Sequence, residues 1–332
     1  MGGFHRMESQ AMRDPLDKLG RRTRLRPKST GKRVSPTKRD LRWFAALAEH
    51  GPLPSSYLLA FTEGSHRSEK RARERLTDLF HESNTPDGGA YLTRPLQQFR
   101  TIDSRYNQLV YDLNPASVAA LDRAGMFSGR RASGPWLHSH MVTCITASIE
   151  LACRRTTSHT YIPQSAILAR ADAALRWPTT VSDPATGTSY TKDLIPDAVF
   201  GLEYRTPNGR RFRFFAVEAD RGTEPARSSQ FHRKSFKRHL LQYAEYVERG
   251  GYREHLGLSA PLLVLNITSN SKRLERMKAL CIQQYASGNT YQLFQSWESF
   301  GAIYKPPETN PDLLRGDWLR ASAPPIRIDQ ID

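Results

Sequence analysis

The carboxylates Asp197, Glu218 and Asp220 lie near the two ends of the segment IPDAVFGLEYRTPNGRRFRFFAVEADRG, residues 195 to 222. It reads as two strands joined at Pro207-Asn208-Gly209, and Asn-Gly is the strongest short hairpin signal. With Asn208 and Gly209 as a two-residue loop, Pro207 faces Arg210. Counting back sets Asp197 opposite Asp220 and Val199 opposite Glu218. Strand side chains alternate with period two, so all three carboxylates project from one face. Three like charges together are unfavourable unless a cation neutralises them, and oxygen ligands of this kind suit Mg²⁺ or Mn²⁺. Such an ion activates water and stabilises charge on a phosphodiester. The alternative is that Asp220 pairs with Arg221 or caps the next helix, and that Asp197 ends a strand. Glu150, on a preceding helix, is a further candidate ligand or a solvated helix residue.

Cations follow the second strand: Arg221, Lys234, Lys237, Arg238 and His239. Any of them would stabilise a pentavalent phosphorus. Pro196-Asp197 on one strand and Glu218 on the next resemble the PD-(D/E)xK nuclease signature, with Asp220 in place of its lysine. In that superfamily the lysine can be replaced from a neighbouring helix. Gln242 and Tyr246, at i and i+4, resemble the QxxxY element of some of its members. Water or a tyrosine, Tyr243 or Tyr246, can attack on this reading; each tyrosine also fits a core or surface role. His138 and His140 diverge on a helix at i and i+2 and read as structural or capping residues. Cys144, Cys153 and Cys281 form no CxxC pair, so neither a disulfide framework nor a cysteine-rich zinc site is indicated.

The elements that must hold these groups begin with a helix from Leu137 to Arg155, its apolar stripe made by Leu137, Met141, Ile145, Ile149 and Ala152. A Gly-rich linker, Ser128 to Gly134, precedes it. Upstream, apolar spacing gives helices over Asp40–His50, Ser55–Phe61 and Arg67 to about Glu82. The third exposes Arg67, Lys70, Arg71, Arg73 and Arg75. Strands near Ala90–Leu92 and Gln108–Leu113 would form a wing, with Arg94, Arg100 and Arg105 beside it, and Pro115 to Ala124 reads as another helix. Three short helices, the third basic, followed by a hairpin match a winged helix-turn-helix. After the carboxylate hairpin come a buried strand in Pro261–Thr268, a helix from Ser271 to Tyr285 and a strand in Thr290–Phe294.

Lysine and arginine total 49 against 33 acidic residues, a net charge of +16. That balance favours a polyanion, first of all double-stranded DNA, although a merely soluble basic surface carries the same charge. Residues 1–39 hold twelve Lys or Arg against three acidic residues, so residues 1–37 read as a disordered basic arm that adds affinity without specificity. No apolar run approaches the ~18 to 20 residues of a spanning helix, and the expected location is the cytoplasm.

The TKRD opening at Thr37–Asp40, the helices after it, PDAVF, and VEADRGTE at Val217–Glu224 together resemble the replication-relaxation family, which includes MobC-type relaxases of mobilisable plasmids. The resemblance spans about residues 36 to 300. It implies recognition of a plasmid transfer or replication origin, metal-dependent nicking or relaxation, and relaxosome or replication proteins as partners. The expected fold is α+β: a winged helix over 38–127, an α/β restriction-endonuclease-like domain over 135–303, and a C-terminal tail, 304–332, irregular or disordered. The functions in competition are a site-directed nickase, a DNA-binding accessory factor with a degenerate nuclease fold, and a transcriptional regulator.

Overall fold

A computed structural model describes residues 22–126, 135–183, 186–222, 235–285, 288–300 and 305–331. The linker at 128–134 and Lys234 lie outside these residues, as do Thr223 and Glu224. The fold is mixed α/β, with several sheets among the described residues.

The chain opens with α1 (Lys38–His50), β1 (Leu53–Pro54), α2 (Ser55–Phe61) and α3 (Glu69–His81). Thr37 and Asp40 form a capping box at the start of α1, each side chain taking the other's backbone N–H. Ser68 caps α3. β2 (Leu92–Thr93), β3 (Val110–Leu113) and α4 (Pro115–Arg123) follow. The small sheet has the order β1-β3-β2. β1 was not foreseen: two residues carry no periodicity, and only the pairing of Leu53 with Tyr111 and Pro54 with Val110 defines it. The apolar sides of α1 to α3 meet around Trp43, whose indole N–H donates to Leu58 O at 2.6 Å and Thr62 Oγ1 at 2.9 Å.

Residues 22–37 correct the expectation of a disordered arm, because they pack along the end of α3. Val34 is buried. The fully buried Glu82 carboxylate takes the Arg22 guanidinium at 2.7 Å, the Thr30 N–H and the Ser29 and Thr30 hydroxyls. Burial alone would raise the Glu82 carboxyl, but these donors hold it below its ordinary value.

α5 (Trp136–Arg154) is buried on nearly every side from His140 to Cys153 because it lies between α1 and a large sheet. β4 (His159–Ile162), α6 (Gln164–Ala171), the hairpin β5 (Trp177–Ser182) and β6 (Ser189–Leu194), β7 (Ala198–Thr206) and β8 (Gly209–Asp220) come next. α7 (Phe236–Tyr243), a π-helical turn (Ala244–Glu248), α8 (Gly251–Leu256), β9 (Leu262–Thr268), α9 (Ser271–Gln284) and β10 (Gln292–Ser296) complete this part. The large sheet has the order β10-β9-β8-β7-β4. β8, β9 and β10 run parallel, as the helices crossing between them require, while β7 pairs antiparallel with β8 and β4. Phe215, Val217, Leu265 and Ile267 turn one face toward α5, in an apolar cluster continuous with Trp43 and Leu47 of α1. Val199, Phe214, Ala216 and Val264 turn the other toward Tyr243 and Tyr246.

The C-terminal residues are packed, not loose. α10 (Asp312–Arg315) and the pair β11 (Asp317–Trp318) and β12 (Ile326–Arg327) bring Leu313, Leu314, Trp318 and Ile328 into the main core.

Candidate functional site

The β7–β8 turn differs from the expected one by a register shift of two. Thr206 pairs with Gly209, so the loop is Pro207-Asn208, and Gly209 takes φ +110°. Val199 therefore faces Ala216, not Glu218. The ladder runs to Ala198↔Val217 and one step beyond it, where Asp197 N–H donates to Val217 O at 3.0 Å. Asp197 is thus held against Val217, next to Glu218 in β8, and not across from Asp220. A shift by two preserves parity along β8, so Glu218 stays on the face α7 covers, while Asp197, one residue before β7, is held by Val217, Ala219 and His138 of α5.

Each carboxylate there has its own partners. Asp197 Oδ2 accepts the Ala219 N–H at 2.8 Å, and its Oδ1 lies 2.9 Å from His138 Nε2 at the start of α5. Glu218 is buried; Tyr243 donates its hydroxyl to Oε1 at 2.5 Å, and His239 Nδ1 lies 3.4 Å from Oε2. His239 and Tyr243 are i and i+4 on α7, hence on one helix face. Asp220 is engaged by Arg273 of α9, with Nε at 2.8 Å and Nη2 at 2.6 Å from Oδ2, and its Oδ1 accepts the Gly222 N–H at 2.6 Å. Separate donors and cations therefore offset the like charges of the three carboxylates. Among the described residues no group of three His, Cys, Asp or Glu is arranged to hold a metal ion.

Burial and then the Glu218 carboxylate push the Tyr243 phenol far above its ordinary value, with Asp197 adding in the same direction. Tyr243 at neutral pH is a hydrogen-bond donor, not a phenolate, which argues against it as the attacking group.

Several expected site residues point elsewhere. Gln242 Nε2 donates to Thr179 Oγ1 at 2.8 Å and to Lys192 O, inside the β5–β6 hairpin. Tyr246 shares a hydrogen bond of 2.8 Å with His255 Nδ1. Lys237 Nζ lies 3.9 Å from Asp183 Oδ1. Arg221 is the last residue but one of the described segment 186–222. Glu150 pairs with His50 Nε2 at 2.7 Å and with Arg154. Twelve residues along α5 from His138, it stands about 18 Å away along the helix axis, too far to join Asp197. Burial would raise the Glu150 carboxyl, but His50 and Arg154 outweigh it and hold it low.

Of the basic residues read as facing DNA, Arg67, Lys70, Arg71, Arg73, Arg100 and Arg105 are exposed. Arg71 pairs with Glu74, and Arg73 with Glu69 and Ser55. Together with residues 22–32 the outer side of α3 forms an open cleft of about 760 Å³ lined by Arg22, Lys32, Lys70, Arg73 and Asp78 among others. Two residues are corrections. Arg75 turns inward to the buried Asp40 carboxylate at 2.7 Å and to Ser35 O. Arg94 is 4% exposed, its guanidinium 3.9 Å from the Phe80 ring centroid and 5.1 Å from that of Tyr111.

Sequence reasoning missed two contributors, His138 and Arg273, and gave a third, Tyr243, another role. His138 was set aside because it diverges from His140. It does diverge, His140 turning to Pro52 O, and that divergence delivers His138 to Asp197. Arg273 lies 53 residues from its partner Asp220, beyond any local signal. Tyr243 was read as a candidate nucleophile or a core or surface residue, and is the hydroxyl donor to Glu218.

A family model described as replication-relaxation matches residues 44–260, from within α1 to just past α8 and including the whole β7–β8 hairpin. No curated protein matches the chain, and no solved structure does.

Proposed function

The chain belongs to the replication-relaxation family, and from that premise we propose a DNA-binding protein that nicks or relaxes DNA at a plasmid or mobile-element origin. α1 to α3 with the sheet β1-β3-β2 support the reading of a winged helix, in which α3 presents Arg67, Lys70, Arg71 and Arg73 to DNA. The order α5, β4, β7, β8, α7, β9 supports a restriction-endonuclease-like unit. No helix among the described residues is long and apolar enough to cross a membrane.

The observation that carries the nuclease reading is Asp197 held at the start of β7 against Val217 and Ala219, the two neighbours of Glu218 in β8. Two carboxylates on neighbouring strands fit Mg²⁺ or Mn²⁺ held by protein on one side and by substrate phosphate and water on the other. Such an ion would supply charge neutralisation at the scissile phosphodiester. Ala219 N–H and His138 orient Asp197; Tyr243 and His239 orient Glu218. Arg273 brings a cation to the position of β8 where the nuclease signature has lysine, although Asp220 engages it.

The test is Asp197→Asn with supercoiled DNA and Mn²⁺. Relaxation should fall by at least about 100-fold, the scale of losing a group that organises charge in the transition state, while DNA affinity stays. Nicking that survives the substitution would remove this hairpin as the catalytic centre. A second reading, an accessory factor that binds DNA without cutting it, is favoured by the missing lysine and by partners already engaging all three carboxylates. Wild-type protein that binds supercoiled DNA and leaves it intact with Mn²⁺ would establish that reading.

Arg71→Ala with Arg73→Ala should weaken duplex binding by about tenfold and shallow its salt dependence by ~1 to 2 units, as lost phosphate contacts do. Undiminished affinity at moderate salt would exclude α3 as the reading helix.

A further inference from the structure

The described residues expose six large apolar side chains: Leu25, Leu96, Tyr106, Ile195, Phe212 and Ile282. Three of them belong to residues 24–26 and the β2–β3 connection, which Arg24 ties together through Ser104 O and Asn107 O. Tyr106 is 75% exposed, Leu96 64% and Leu25 51%. The same two segments carry the exposed cations Arg26, Arg100 and Arg105, and the Arg105 guanidinium stands 4.7 Å from the Tyr106 ring centroid.

A buried support stands behind them. Arg94, stacked on Phe80 and Tyr111, donates from Nη2 to Tyr111 Oη at 3.1 Å and from Nη1 to Arg24 O at 3.1 Å. Arg24 in turn donates from Nη2 to Asn107 O at 2.8 Å and Ser104 O at 3.5 Å, on either side of Arg105 and Tyr106. A desolvated guanidinium is costly and is tolerated where it is stacked and bonded as Arg94 is. It fixes the backbone that presents Tyr106.

We infer that these segments form a platform for nucleobases unstacked from a DNA strand, with Tyr106 as the stacking face, Leu25 and Leu96 as flanking apolar contacts, and Arg26, Arg100 and Arg105 on the neighbouring phosphates. The inference rests on the DNA-binding reading and deepens it by naming melted or distorted DNA as the preferred form. An aromatic ring accepts any base, because every base has a π-face, but a base inside a duplex has both faces covered. Phosphate contacts alone would draw duplex and melted DNA alike. Apolar groups set among cations distinguish the two, since only unstacked bases bring apolar surface and negative charge together.

The experiment measures binding of the full chain to a short labelled duplex and to the same duplex with a central mismatched bubble carrying 2-aminopurine. The bubble should bind about tenfold tighter than the duplex, a factor in the range of one added base–aromatic stack. Tyr106→Ala should abolish that preference, leave duplex affinity within about twofold, and cancel the change in 2-aminopurine fluorescence on binding. Tyr106→Phe should restore both. Equal affinity of the wild type for bubble and duplex, or an undiminished preference in Tyr106→Ala, overturns the platform while leaving the DNA-binding reading standing. Absence of binding to either DNA overturns both readings. An apolar surface serving a protein partner would show as a bubble preference of one, and so falls under the first of these results.

Discussion

Removal of residues 305–332 is expected to leave a chain with no cooperative unfolding transition. Leu313, Leu314, Trp318 and Ile328 are fully buried in the cluster that also holds Trp43, Leu47, Phe215 and Leu265. The segment further closes hydrogen bonds that nothing else replaces: Leu319 exchanges backbone bonds with Phe294 at 2.9 Å each way, and Tyr204 donates its hydroxyl to Ile328 O at 2.6 Å. At the other end Tyr57 donates to Glu308 O at 3.0 Å, and Asn310 N–H to Ser148 Oγ at 3.1 Å, which joins α2 to α5. Losing a buried Trp costs ~3 to 5 kcal/mol and each buried Leu or Ile ~2 to 5. The sum reaches about 10 kcal/mol, the scale of a whole domain's stability. Trp318→Ala should be milder, lowering stability by ~3 to 5 kcal/mol while the protein still folds. Urea melts followed by far-UV circular dichroism separate the cases. A truncated chain that melts cooperatively at the wild-type midpoint would show that the segment is an appendage.

The residues that make this segment indispensable were hidden because its elements are too short for periodicity. A four-residue helix and two-residue strands show neither a 3.6 nor a 2.0 repeat, and the prolines around them read as loop. Only long-range contact makes Trp318 a core residue. The β7–β8 hairpin is the opposite case. Its alternation and turn residues were legible, and the register error was even, so the alternation along β8 held; the expected pairing of Val199 with Glu218 did not, and Asp197 lies one residue before the ladder. α2 was legible over the residues it occupies, Ser55–Phe61, and α5 within one residue at each end.

Side-chain partners were less legible than elements. Arg94 has the type and position of a wing cation, and nothing local tells that Phe80 and Tyr111 close over it. Gln242 and Tyr246 carry a suggestive spacing, but the spacing assumes one continuous α-helix. The π-helical turn that begins at Ala244 changes the phase after Tyr243. Tyr243 keeps the face that meets Glu218, while Tyr246 is carried to His255. Residues 22–37 were misjudged for another reason: their charge is real, but the acidic groups that hold them, Asp78 and Glu82, lie more than forty residues later.

Acid should destabilise the protein between pH 6.5 and about 4 through His140, before carboxylate protonation dominates. His140 is fully buried in α5, stacked on Trp136 with ring centroids 5.1 Å apart, and burial pushes its imidazole down from 6.5 to about 4. Its Nδ1 donates to Pro52 O at 3.1 Å, and its Nε2 faces Cys144 Sγ at 3.7 Å, which suits the neutral ring. Above pH 6.5 the residue is neutral in the folded and unfolded chains and contributes no pH dependence. Between 6.5 and 4 the unfolded chain binds a proton that the folded chain refuses, so folding stability falls as pH falls. A depression of this size corresponds to about 3 kcal/mol by pH 4, after which the loss levels off. His81 works in the same direction: burial lowers it to about 4, and its Nδ1 must be unprotonated to accept the Lys28 N–H at 3.0 Å. The bond from His140 to Pro52 O joins the turn after α1 to the helix whose His138 reaches Asp197, so the buried ring that resists protonation sits between α1 and the carboxylate hairpin. His140→Asn keeps a donor near the Nδ1 position and cannot titrate. It should cost stability at pH 7.5 through lost stacking, yet flatten the decline toward pH 4.5, leaving the His81 share. Unfolding free energies from urea melts across that range decide the matter, and identical slopes for wild type and His140→Asn would exclude His140 as the source.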